Sequence, residues 1–89
     1  GADINKSDND GYTPLCITSQ YGYLEIVQFL IEKGADINKA DNDGKTPLYI
    51  ACEESIEIAK FLIEKGAKIL IKDLPNVEEI LLDWTNTTS

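Results

Sequence analysis

Two short runs, Asp8-Asn9-Asp10-Gly11 and Asp41-Asn42-Asp43-Gly44, set side-chain oxygens just ahead of a glycine. That is the middle of a calcium loop, where carboxylates converge on a hard cation and the glycine makes the sharp turn. The register fails. With the glycine sixth, the first ligand position falls on Lys6 or Lys39, and the closing glutamate is replaced by Ile17 or Ile50. An ammonium in place of the first oxygen ligand excludes specific calcium binding, and no metal is expected.

Catalysis fares no better. The chain has no histidine, so it has neither an ordinary nucleophile–base triad nor an imidazole metal site. Cys16 and Cys52, the only two cysteines, have no basic neighbour in sequence to draw a thiol toward thiolate. Glu53 and Glu54 are adjacent, and adjacent residues on a helix do not face each other. The glycines sit where turns and helix ends need them, not in a phosphate-cradling loop. Asn5-Lys6-Ser7 and Asn86-Thr87-Thr88 match glycosylation triplets that recur by chance and carry no weight without a secretory signal. The expectation is a protein that is not an enzyme and uses no cofactor.

The spacing of these same runs is more informative than their chemistry. Gly11 and Gly44 are 33 residues apart, as are Thr13 and Thr46, and Gly1 and Gly34. Residues 1–10 read GADINKSDND and residues 34–43 read GADINKADND. A fixed period of this length marks a stack of repeats, in which each unit buries its face on the next.

The elements follow from local signals. Asn9-Asp10-Gly11 and Asn42-Asp43-Gly44 are turn formers whose glycine accepts positive φ. Ile4 and Ile37 anchor one arm of each turn. Thr13 and Thr46 suit the residue that caps a helix start, and Pro14 and Pro47 suit the first helical position, where a missing N–H costs nothing. Short helices are predicted over 14–20 and 47–53, too short to stand alone in water. Leu15, Ile17, Leu48 and Ile50 are therefore expected to be buried. Second helices are predicted over 24–33 and 56–65, ended by Gly34 and Gly66. The apolar stripe through Leu24, Ile26, Val27, Phe29, Leu30 and Ile31 suits a helix wedged between its partner helix and the next repeat. Thr13 to Gly34 spans 21 positions but Thr46 to Gly66 only 20. The deletion falls where the first repeat has Gly22, so the turn near Glu54 and Ser55 is expected to be tighter or distorted.

After Gly66 the pattern decays. Asn76 is placed to cap a helix over 77–84, with Glu78 and Glu79 in its first turn. Val77, Ile80, Leu81 and Trp84 at helical spacing are expected to cover the last repeat, and 85–89 to be a flexible tail. The organisation is then a tail of a preceding repeat at 1–10, repeats at 11–40 and 41–72, a degenerate capping helix at 73–84, and the tail.

The residues Asp8 to Leu15, Gly22 to Leu30 and Gly34 to Asn38, recurring from Asp41, resemble an ankyrin repeat. The resemblance covers residues 1 to about 73 and implies an all-α solenoid of helix–turn–helix repeats with β-hairpin loops. It departs from the family in three ways. The histidine usual after TPL, which ties neighbouring hairpins together, is Cys16 in one repeat and Tyr49 in the other. The first helix carries Thr18 and Ser19 where the family is richer in alanine. One residue is missing near Glu54.

The resemblance also implies a function: binding a protein partner through the hairpin tips and the inner face of the first helices. Carried onto this sequence, that surface is Ser7, Asn9, Asp10, Tyr12, Gln20 and Tyr21, then Ala40, Asn42, Asp43, Lys45, Glu53 and Glu54. Tyr12 and Tyr21 offer contact area and a hydroxyl at low entropic cost. The alternative is a structural spacer or cap within a longer array, with no partner site of its own.

Bulk composition narrows the partner. At 89 residues with 43% hydrophobic content, the chain has room for one small folded unit. Its net charge of −8, from 16 acids against 8 lysines and no arginine, repels a phosphate backbone and favours solubility or a basic partner. No run of 18 apolar residues is present, so no membrane partner is expected. Self-association through a first-repeat face left uncovered, around Leu24 and Ile31, is the other partner class. A single disulfide and two reduced thiols both fit the sequence. Reduced thiols are the expectation, since a stack needs no staple. The location expected is cytoplasmic or nuclear.

Overall fold

The computed structural model describes residues 3–70 together with 73, 75, 77, 78, 80 and 82. The expectations for Asn76, Glu79, Leu81, Trp84 and the 85–89 tail lie outside those residues. Four helices are formed: α1 Pro14–Tyr21, α2 Leu24–Glu32, α3 Pro47–Glu54 and α4 Ile56–Glu64. They make two helix–turn–helix units of an all-α repeat solenoid. Helix α1 packs on α2 and α3, and α4 packs on α3 and α2. The hairpin loops carry no strand among the described residues. Each is closed by a short backbone bond, Asp8 N–H to Tyr12 O at 3.0 Å and Asp41 N–H to Lys45 O at 2.9 Å. Arms this short turn without building a ladder.

The helix ends fall where the sequence signals put them. Thr13 and Thr46 accept from the backbone N–H of Cys16 and Tyr49, each at 3.2 Å. Both threonines are buried, which keeps water from competing for the cap. A cap of this kind contributes about 1 kcal/mol. At the far ends of α2 and α4, Ala35 and Ala67 donate back to Leu30 O and Leu62 O, each at 3.0 Å. Gly34 and Gly66 hold the intervening positive φ.

The missing residue has a visible consequence. Between α1 and α2 the chain turns through Gly22, at φ 77°, and Tyr23. Between α3 and α4 a single residue, Ser55, does both jobs in an extended conformation. Its N–H reaches Ala51 O at 2.7 Å, and its carbonyl accepts from Ala59 at 3.0 Å.

One contiguous core runs through both units. Leu15, Val27, Leu30, Leu48, Ala51, Ile58, Ala59 and Leu62 form it, joined by Ile80. Val77 and Ile80 are buried, and Pro75, Val77, Glu78, Ile80 and Leu82 are helical. Ile4 and Ile37 pack partly buried against the same core. Each fully buried Leu, Ile or Val contributes about 1.5–3 kcal/mol.

One burial expectation is corrected. Ile17 is 36% exposed, whereas its counterpart Ile50 is 8% exposed. The same contrast separates Ile26, at 45%, from Ile58, at 0%. Ile50 and Ile58 look toward the first unit and are covered by it. Ile17 and Ile26 look the opposite way, where no described residue covers them, and Phe29 is exposed with them.

Candidate functional site

The DNDG runs bind their own backbone. Asp8 Oδ1 accepts from Asp10 and Tyr12 N–H, both at 2.9 Å. Asp41 Oδ1 accepts from Asp43 and Lys45 N–H, also at 2.9 Å. Each aspartate thus organises the hairpin tip that follows it, the Asx-type turn that its side-chain length allows. Among the described residues, no three His, Cys, Asp or Glu side chains are grouped to hold a metal ion.

Neighbouring tips are tied to each other. Asn42 donates its N–H to Asp10 O at 3.1 Å and its side-chain amide to Asn9 O at 3.0 Å. One level deeper, Asn5 Oδ1 accepts from Asp36 N–H at 2.6 Å, and Asn38 Oδ1 accepts from Lys68 N–H at 2.8 Å. Lys39 Nζ adds a bond to Asn5 O at 2.7 Å. The asparagine of GADIN therefore stitches each loop to the next. Sequence reasoning gave Asn5 and Asn38 no such role, although their 33-residue interval was the available signal. The link altered by the loss of histidine persists in a weaker form: the Cys16 thiol donates to Lys39 O at 3.7 Å.

Between the two units these tips and the first helices flank an open cleft of about 90 Å³. Tyr12 and Gln20 line it from the first unit; Asp41, Lys45, Ile50, Glu53 and Glu54 line it from the second. Five of the residues named from sequence, Tyr12, Gln20, Lys45, Glu53 and Glu54, thus meet in one place. Asn9, Asp10 and Asn42 are joined at the tips above. Ser7 and Ala40 are half-buried and Asp43 is exposed, and none of the three lines the cleft. Tyr21 does not line it either. It is 65% exposed and stacks on Tyr23, with ring centroids 5.9 Å apart.

Asp41 and Ile50 are the lining residues that sequence reasoning missed. Asp41 is 7% exposed, whereas Asp8, which opens the same DNDG run, is exposed. Only the repeat packed in front of Asp41 separates them, and no local signal records it.

The thiols are poor nucleophiles. Neither forms a disulfide, and Cys16 is fully buried. Burial, then the charges of Asp73 and Glu53, push the Cys52 thiol from 9.0 up to about 11. Its thiolate is scarce at neutral pH, because raising the pKa of an acid favours the protonated form. Alkylation of folded protein by iodoacetamide at pH 7.5 is expected to proceed about ten- to a hundredfold more slowly at Cys52 than at a free cysteine. The rate should climb steadily as pH rises toward about 11. A plateau below pH 9, read by mass spectrometry of the alkylated peptide, would contradict this environment.

No helix of the described residues is long and apolar enough to cross a membrane. No curated protein matches the chain. A family model described as ankyrin repeats (3 copies) matches residues 1–73. Members of that family are in general protein-interaction modules and are typically non-catalytic. With threonine-capped first helices 33 residues apart, tied hairpin tips and a match over most of its length, the chain belongs to the ankyrin repeat family.

Proposed function

We propose that this chain is a non-catalytic module that binds a protein partner through its hairpin tips and the inner face of α1 and α3. The observation that carries this reading is the cleft between the units, lined by Tyr12, Gln20, Lys45, Glu53 and Glu54. These are side chains from the surface by which ankyrin-like proteins commonly engage partners. At about 90 Å³ the cleft is far smaller than the roughly 300 Å³ a drug-sized ligand needs. A partner that lies over the surface and inserts one side chain suits it better. The acidic balance of the chain favours a basic partner over a nucleic acid. A cytoplasmic or nuclear location goes with this reading.

The test is capture of partners from the source cell by the wild-type chain, Tyr12→Ala and Tyr21→Ala, after circular dichroism has matched their folds. A partner should be retained by wild type and weakened about tenfold or more by Tyr12→Ala, the range of an interface tyrosine anchor. Tyr21→Ala should cost less, since its ring stacks outside the cleft. Equal capture by all three proteins would remove the aromatic site from the reading.

A second reading has its own observation. Ile17, Ile26 and Phe29 are exposed on the face whose counterpart in the second unit is covered by a repeat. That favours an array segment, or a pair of chains, in which another repeat packs there.

A further inference from the structure

We infer that the cleft between the two units is a receptor for a basic side chain, arginine in preference to lysine, presented by the partner polypeptide. This rests on the protein-binding reading above and adds the chemistry of what the partner inserts.

Asp41 is more than nine-tenths buried in the cleft wall. Oδ1 is satisfied by the N–H groups of Asp43 and Lys45. Oδ2 is buried and has no hydrogen-bond partner. A buried acceptor left unpaired is costly, and more so when it carries charge. A cation in the cleft offsets that unpaired charge through its field, since Oδ2 itself has no open surface to receive a donor.

The surrounding wall has the matching sign. Glu53 and Glu54 add two carboxylates, so three acids face one ammonium, that of Lys45. Lys45 does not satisfy Oδ2. Its Nζ stands 5.9 Å over the Tyr49 ring instead. Tyr12 supplies an aromatic surface and Gln20 an amide. A guanidinium is planar, presents several N–H groups in a fixed fork and stacks on aromatic rings. The acids of the wall are not grouped to close on a metal ion. Donors spread over a plane reach several separate carboxylates at once, which a point charge does not. A space of about 90 Å³ has room for a side-chain head group and not for a drug-sized molecule.

The experiment is a titration of the ¹⁵N-labelled chain, followed by amide chemical shifts, with three blocked tripeptides, Ac-Gly-X-Gly-NH2, where X is arginine, lysine or citrulline. Spermidine is a fourth probe. Citrulline keeps the shape of arginine and removes its charge. The arginine peptide should give saturable shifts at Asp41, Lys45, Glu53 and Glu54, with a Kd at least tenfold below that of citrulline and severalfold below that of lysine. D41N keeps an Oδ1 acceptor for the turn and removes the charge; it should raise the arginine Kd about tenfold. E53Q/E54Q should raise it at least fivefold, and E57Q, on α4, should leave it unchanged. Equal binding of arginine and citrulline, shifts scattered over all the acids, tighter binding of spermidine, or indifference to D41N would each overturn the assignment. A partner lost by Tyr12→Ala yet indifferent to D41N would sink the arginine receptor and leave the interaction module standing. No Tyr12-dependent partner and no arginine-peptide binding would sink both.

Discussion

Leu48→Ala is expected to lower stability by about 2–5 kcal/mol, the cost of deleting a buried leucine and leaving a cavity. Leu48 is fully buried at the start of α3, the helix packed against both α1 and α4. It belongs to the core that continues from Leu15 and Val27 through Ile58 and Leu62 to Ile80. Losing it opens a gap at the junction of the two units, where neither can relax without releasing the other. For 89 residues, a total stability of about 4–13 kcal/mol is typical, so this single change removes a large share. Urea unfolding followed by circular dichroism measures it as a fall in midpoint. The control is Ile17→Ala, a large-to-small change on the open face of α1, which should cost under about 1 kcal/mol because its side chain already meets solvent. Equal losses from the two variants would mean that the stacking direction assigned to Ile17 and Ile50 is wrong.

Gly11→Ala is expected to cost about 2–4 kcal/mol by a different route. Gly11 has φ +85°, and a β-carbon there would lie 2.5 Å from both the backbone nitrogen and the side-chain oxygen of Asn42. The hairpin tips would have to separate. That breaks the bonds from Asn42 to Asp10 O and to Asn9 O, which join the first unit to the second. Gly22→Ala isolates the backbone part of the effect. It has φ +77° but no neighbour within 4 Å of the added atom, so it should cost only about 1–2 kcal/mol. Hydrogen exchange adds a local reading: the Asn42 amide should lose protection in Gly11→Ala and keep it in Gly22→Ala. Similar losses at both glycines would show that contact across the tips contributes nothing.

These effects mark what was legible in the sequence. Thr13, Pro14 and Gly22 announced α1, and Thr46 and Pro47 announced α3, because capping and proline placement act within a few residues. The shortened turn at Ser55 followed from counting. What stayed hidden was the partner of each copy. Asp8 and Asp41 share the run DNDG, yet only Asp41 is buried, with an oxygen unpaired beside the cleft. Ile17 and Ile50, or Ile26 and Ile58, differ in burial for the same reason. Position in the stack, not local pattern, decides which copy is covered. Cys16 stands where the family has histidine and donates to Lys39 O at 3.7 Å, a contact that no residue-type rule foretells.

The proposed recognition surface, the hairpin tips and the inner helix face, is tested by a residue-resolved map of amide protection for the chain bound to a partner that Tyr12→Ala weakens. A continuous footprint is expected over Asn9 to Tyr12, Gln20, Asp41 to Lys45, and Glu53 with Glu54. A footprint centred on the exposed outer positions of α2 and α4, such as Gln28, Glu32, Glu57 and Glu64, would contradict it.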